Sequence, residues 1–266
     1  MEKFILLIAT AVLFSFTYAQ QQEGKIIYER TTKLQIQLAN EDPSLQNLIP
    51  KERKDRFECL FANNQSIWRA SEDEPDAGDI VVNNGNAEIR MVMPGSNDVI
   101  FNDIAKQTKV EQRELFTKTF VVQDSIRKMS WKMGEETKTI LGMKCRQATG
   151  TRTQVGYRVS MDNGRMDRKQ VIDTLKVVAW FTDEIAGFYG PDQYQGQLPG
   201  TILELVINNG NTVYLAMEIQ KKVDKSLIKE PKGRKITPEE FAMEREKMMK
   251  EMDENGGGNI RTTRRF

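Results

Sequence analysis

Four carboxylates gather around one stiff loop in this chain: Asp183 and Glu184 before it, Asp192 within it and Glu204 just after it. Paired carboxylates can serve as acid and base on a glycosidic bond, and carboxylate clusters can ligate calcium through oxygen. The sequence holds no histidine at all. That count removes Ser-His-Asp and Cys-His nucleophile activation, histidine zinc sites and imidazole acid–base catalysis. Carboxylate-dependent hydrolysis and oxygen-ligated calcium survive it. The four acids match no EF-hand spacing, so no catalytic residue, metal ligand or cofactor is assigned, and Asp192 reads as a solvated charge beside the loop.

The loop begins Gly190-Pro191 and continues through Gly196 and Leu198-Pro199-Gly200 into the apolar run 201–205. Three glycines and two prolines make it a stiff, shaped connection that feeds a strand. Trp180, Tyr189, Tyr194 and Leu198 cluster around it, and a rigid loop bearing aromatics is a candidate binding edge. The other reading is structural. Gly196 and Gly200 would satisfy backbone demands, with Gly200 expected at positive φ, while Trp180, Tyr194 and Leu198 cap one end of the core.

Residues 1–19 read as a secretory signal peptide: Lys3, then an apolar run over 4–16, then Thr17-Tyr18-Ala19 with a small residue at the cleavage point. The run is too short to span a bilayer, and no cysteine follows the cleavage point, so no retained membrane anchor is expected. The mature chain is expected to begin at Gln20, exported to the periplasm or beyond, including an outer-membrane-associated location. Lys and Arg number 39 against 38 Asp and Glu. With no basic stripe interleaved with aromatics, a nucleic-acid partner is not expected. Cys59 and Cys145 would lie in a compartment that permits disulfides. A bridge would close a loop worth about 4.5 kcal/mol on the chain-entropy model. A disulfide and a pair of buried free thiols both remain open.

The elements that must position these residues are short and strand-like. Residues 25–38 alternate through Leu34, Ile36 and Leu38; 40–50 form a loop or a short helical turn; 56–68 form a hairpin turning at Asn63-Asn64. Asn83-Asn84-Gly85 and Asn208-Asn209-Gly210 each close a further hairpin, since Asn-Gly accepts the positive φ of tight turns. Short strands are expected over 115–122, 137–141, 143–148, 154–161 and 171–181, with turns near Gly134 and at 162–164. Thr237-Pro238-Glu239-Glu240 is a capping box with proline at the first helical position. Phe241, Ala242, Met248, Met249 and Met252 then mark an apolar stripe that is expected to pack on the sheet. The expectation is a mainly β fold: an antiparallel curved sheet, half-barrel or sandwich, over 20–230, a C-terminal amphipathic helix over 236–254 and a flexible tail over 255–266.

Trp131 with 135–148 (Glu-Glu-Thr-Lys-Thr-Ile-Leu-Gly-Met-Lys-Cys-Arg-Gln-Ala), Ala179-Trp180-Phe181-Thr182-Asp183-Glu184-Ile185, and the Gly196-Gln197-Leu198-Pro199-Gly200-Thr201 segment together resemble the GLPGLI family, secreted proteins of Bacteroidota without an assigned activity. Phe181 stands where the family usually has tyrosine, Ala186 where it has proline, and Gln197 precedes Leu198, as in a GQLPGTILE variant. The resemblance implies an envelope location and a β-rich fold, with no catalytic residue or cofactor to carry over. The expected role is a non-catalytic binding or accessory module for an unidentified ligand or envelope protein. Two alternatives stand: a carboxylate-dependent hydrolase acting on glycans near the 190–205 loop, and a structural partner of an outer-membrane transport complex.

Overall fold

The computed structural model describes residues 22–34, 50–72, 79–83, 87–92, 97–115, 118–162, 165–254 and 261–264. The expected signal peptide, the residues 35–38 and the 40–49 segment lie outside them. Most of the described residues form one large open sheet, curved but not closed, followed by a C-terminal helix. Its central strands are β1 (Glu23–Lys33), β2 (Glu52–Ala62), β3 (Gln65–Ala70), β12 (Thr201–Ile207) and β13 (Thr212–Gln220). On one side follow β6 (Val99–Asp103), β7 (Thr108–Leu115), β8 (Lys118–Ser125) and the two-residue β14 (Lys235–Ile236). On the other lie β11 (Arg165–Thr182), β10 (Met143–Asp162) and β9 (Trp131–Ile140). The order is β14-β8-β7-β6-β3-β2-β1-β13-β12-β11-β10-β9, antiparallel throughout except where β14 joins β8. A separate ladder pairs β4 (Asp79–Asn83), β5 (Ala87–Val92) and β15 (Arg261–Arg264), so residues 261–264, expected in a flexible tail, form a strand.

Turn chemistry explains the meander. Asn63 and Asn64 sit at φ of 53° and 61°, and Asn208, Asn209 and Gly210 at 50°, 56° and 84°, the left-handed region that Asn and Gly tolerate best. Three expectations fail locally. The two strands expected over 143–148 and 154–161 are one continuous strand, β10, because β11 pairs along nearly its whole length. Residues 115–122 are not one strand but the end of β7 and start of β8, which pair with each other across residues 116–117. Gly134 is not a turn but lies inside β9, where register slips from Arg146↔Thr137 to Ala148↔Met133. Three residues of β9 face one of β10 there, and glycine suits such a bulge.

Alternation sorts the strands onto two faces. Rows such as Ile26↔Cys59↔Trp68 and Tyr28↔Phe57 point inward, where they join Phe61, Val177, Ala179, Leu205 and Tyr214 in the main core. Leu60, Ala62, Ile67 and Phe101 point outward and are covered by Val223 and Ile228. Helix α1 (Pro238–Glu254) starts at the expected capping box: Thr237 N–H donates to Glu240 (2.8 Å) and Glu240 N–H to Thr237 Oγ1 (3.1 Å). Phe241 anchors it, edge-on to Phe120 of β8 at 5.5 Å and under the Arg113 guanidinium at 4.7 Å. Met248 and Met249 are half-buried, while Met243 is 63% exposed.

Candidate functional site

The proline- and glycine-bearing loop does not stand at an edge. It folds back into the hollow of the sheet and fills it. Tyr189, Tyr194 and Leu198 are buried with Ile185 in the main core, Tyr189 stacking obliquely on Phe61 at 4.4 Å. Backbone bonds hold the loop: Ile202 N–H donates to Tyr189 O (2.9 Å), Gly196 N–H to Phe188 O (2.6 Å) and Tyr194 N–H to Pro191 O (3.1 Å). Tyr28 OH donates to Ile202 O (2.6 Å) from the opposite wall. Gln195 is buried and accepts from Ser66 Oγ, and Gln197 ties Met129 N–H and Arg127 O at 2.9 Å each.

The glycines are needed for space as much as for dihedral angle. Gly196 sits at φ 74°, and a Cβ there would come within 2.9 Å of Ile126. Gly200, expected at positive φ, lacks it; instead its Cα lies so close to β11 that a Cβ would meet Thr182 O at 2.4 Å. A Cβ on Gly190 would press on Ile202 at 3.1 Å. Pro191, which precedes the 3-10 turn Asp192–Tyr194, is buried, while Pro199 is exposed. Trp180 is on the outer face of the sheet, 4.3 Å from Lys138 Nζ. Three of the four aromatic or apolar candidates are therefore interior, and the four share no exposed edge.

The four carboxylates do not converge. Leu205 and Tyr214 are directly paired and face inward, so their neighbours Glu204 and Leu215 face outward, where Glu204 pairs with Lys138. Asp183 is exposed beside Arg146 (3.7 Å), and Glu184 accepts from Lys144 N–H (2.8 Å). Asp192 alone enters the hollow, at φ 53°, within 3.5 Å of Tyr214 OH. It is not the solvated charge its sequence position implied. Burial pushes its carboxyl up, as does Glu111, against the opposing pull of Arg152, Arg30 and Lys109. A carboxyl raised on folding destabilises the fold when ionised; that penalty is full above the folded-state pKa and vanishes below the unfolded one. Asparagine carries no charge and tolerates positive φ. Asp192→Asn should therefore melt above wild type at pH 7, with the gain gone near pH 3, below the usual aspartate range. A variant melting below wild type at pH 7 would show that the ionised carboxylate is stabilising.

The cysteines settle into the second of their two alternatives. Both are buried and free, Cys59 on β2 and Cys145 on β10, with β1, β13, β12 and β11 between those strands in the sheet. Burial pushes the Cys59 thiol up to about 12 and that of Cys145 to about 11. Neither is a reactive thiolate.

What the loop leaves open is a groove of about 490 Å³ between itself, β6–β8, β10 and the start of α1. Along the inner face the rows change character at β6. Apolar Trp68↔Ile100 gives way to Ser66↔Asn102↔Lys109↔Asp124, and Lys109, Glu111 and Arg113 alternate inward on β7. Six lining residues are cationic (Lys109, Arg113, Arg127, Lys128, Arg152, Arg245), against the acids Glu111 and Asp124. Glu111 pairs with Lys109 and Arg113 (3.8 Å), and Asp124 with Arg127 (3.3 Å). Sequence reasoning missed this groove. The inward alternation on β7 was its one visible signal, and alternating charge on a strand reads as a wet outer face. Among the described residues no group of three or more acids, cysteines or histidines could hold a metal ion. No helix among them is long and apolar enough to cross a membrane.

A family model described as a protein of unknown function, Porph_ging, matches residues 131–204, from the start of β9 through the buried loop into β12. A comparison with curated proteins gives no match. Among solved structures, PNGF-II is similar in two crystal forms, P21 and C2. They are 15% and 16% identical, with TM-score 0.45 in both, over 84% and 86% of this chain and 32% of each of those chains. This chain thus spans about a third of their length. An uncharacterized conserved protein from Thermus thermophilus is 7% identical over 82% of this chain and 91% of its own, at TM-score 0.31. The segment 131–204 therefore carries a domain of unknown function, and it is the segment that builds the plug of the half-open sheet.

Proposed function

We propose that this chain is an exported GLPGLI-type protein of the cell envelope that binds a ligand in the groove beneath α1 and catalyses no reaction. The family reading is supported by the match over 131–204, which spans the Trp131, Ala179–Ile185 and Gly196–Thr201 segments that carry the resemblance. The binding reading rests on one observation above all: the hollow's apolar part is filled by its own loop, leaving a polar groove of ligand size. The scatter of Asp183, Glu184 and Glu204 away from Asp192 supports it further.

A hydrolase remains the second reading because Glu111 is near enough to Asp192 to help raise its carboxyl, and glycosidases work with two neighbouring carboxyl groups. A screen of glycan and peptide substrates decides between them. The binding reading expects no turnover by wild type, and turnover that Asp192→Asn abolishes would replace it. Export is tested by intact mass after fractionation of native cells. The expected result is a chain starting at Gln20 in the periplasmic or extracellular fraction, and retained Met1 or a lipid adduct would overturn it.

A further inference from the structure

Two buried polar groups on the groove's lining have donor protons without a well-formed hydrogen bond: Asn102 Nδ2, and Tyr194 OH, whose oxygen lies beside the Arg152 guanidinium. Asn102 is 2% exposed and Tyr194 1%. Orphaned buried donors are rare, because each forfeits its hydration without recovering a bond, and each asks what satisfies it. Both can donate, and both line the same groove as the half-buried cation Arg152. The Arg152 guanidinium is 5.9 Å from the Tyr194 ring and near enough to Asp192 to pull its carboxyl down against burial. The groove's acids are already engaged, Glu111 by Lys109 and Arg113 and Asp124 by Arg127, while its cations are in excess.

From this juxtaposition we infer that the groove is an oxyanion site: Arg152, with Asn102 Nδ2 and Tyr194 OH as neutral donors, receives the phosphate, sulfate or carboxylate of a small ligand. The inference rests on the binding reading above and names its ligand chemistry. A planar guanidinium offers paired donors that match the oxygens of such a group, and hydrogen bonds to a charged acceptor are the strong ones. Asn102 arrives from β6, Tyr194 from the buried loop and Arg152 from β10, so three separate elements contribute a donor to the groove's lining. The loop's second task is then to carry Tyr194 to that wall, which its backbone bond to Pro191 O and its fully packed ring accomplish. Lys109, Lys128 and Arg245 supply the surrounding positive field, and Glu111 is on the same lining, already paired with Lys109 and Arg113.

The test is thermal melting and calorimetric titration of the mature chain at ionic strength matched with sodium chloride. The probes are inorganic phosphate, glucuronate, phosphatidylglycerol vesicles with phosphatidylcholine vesicles as control, and the neutral sugar lactose. At least one anionic probe should raise the melting point and bind wild type. Arg152→Gln and Tyr194→Phe should each weaken that binding about tenfold or more. Tyr194→Phe keeps the packed ring and removes only the hydroxyl beside Arg152, so its unliganded melt should stay within a few degrees of wild type, which keeps loss of binding distinct from loss of fold. Lys54→Gln, on an exposed cation paired with Glu29, should bind like wild type. Binding of vesicles alone would assign the oxyanion to a lipid headgroup, and binding of phosphate or glucuronate to a soluble ligand. Absence of binding by every anionic probe, or binding undiminished in Arg152→Gln, overturns the oxyanion site. Lactose binding without anion binding would overturn it too while leaving the groove a binding site.

Discussion

Gly200→Val should lower stability by about 3 kcal/mol or more, since overpacking a rigid site forces backbone to move. Its Cβ would lie 2.4 Å from Thr182 O and 3.0 Å from Phe181 Cδ2, and the first of these is backbone, held in the last pair of the β11–β12 ladder. The clash needs only the Cβ, so Gly200→Ala should carry most of the effect. Pro199→Ala, one residue away but exposed, should stay within about 0.5 kcal/mol of wild type. For a domain of this size the valine variant's melting point should fall by about 10 °C. Calorimetric melts of the three variants decide the matter. An alanine variant that melts like wild type would mean that β11 and the loop do not approach as closely as the structure has them.

The second large effect is expected at Asp55. This carboxylate is 2% exposed on the inner face of β2, directly across from Arg30. It accepts from Arg30 at 2.7 and 3.2 Å and bonds Arg53 through its other oxygen. Arg30 in turn lies over the Phe57 ring at 4.6 Å. Asp55→Ala would remove a counter-charge shared by two guanidinium groups that are 15% and 10% exposed. Removing one partner of a buried ion pair typically costs about 3–5 kcal/mol, because the remaining charge stays desolvated. Urea unfolding should report a loss in that range with an unchanged m-value. A loss under about 1 kcal/mol would show that water reaches the arginines, and the inner face of β1 and β2 would then be wetter than the structure has it.

Local chemistry was legible where a few adjacent residues decide the outcome. Asn63-Asn64 and Asn208-Asn209-Gly210 announce hairpins because few residue types accept positive φ, and the tertiary structure has no cheaper way to make those turns. Thr237 to Glu240 announces α1 for the same reason: both bonds of the capping box are made within four residues. Local pattern misled where a long-range partner sets the register. Gly134 looks like a turn, yet β10 runs past it for the whole length of β9 and absorbs it as a bulge. The strand expected over 115–122 straddles the boundary between β7, which ends at Leu115, and β8, which begins at Lys118, and no Gly, Pro or Asn-Gly marks that boundary in the sequence.

For the site the division is sharper. From composition alone, the missing histidines excluded most hydrolytic machinery, and the alternating strands dictated a sheet with one apolar face. Whether Tyr189, Tyr194 and Leu198 would face a ligand or the core depended on which way the 183–200 segment folds, and no local rule states that. Packing decided it, because the curved sheet presents an apolar hollow that this segment fills. The same geometry separated Glu204 from Asp192 by a single step of strand alternation. It also turned Lys109, Glu111, Arg113 and Arg152 toward one another, although they come from strands more than thirty-five residues apart in the chain. Residue types determine which chemistries a chain can attempt. Sheet curvature, set by pairings distant in sequence, determines which of those residues meet.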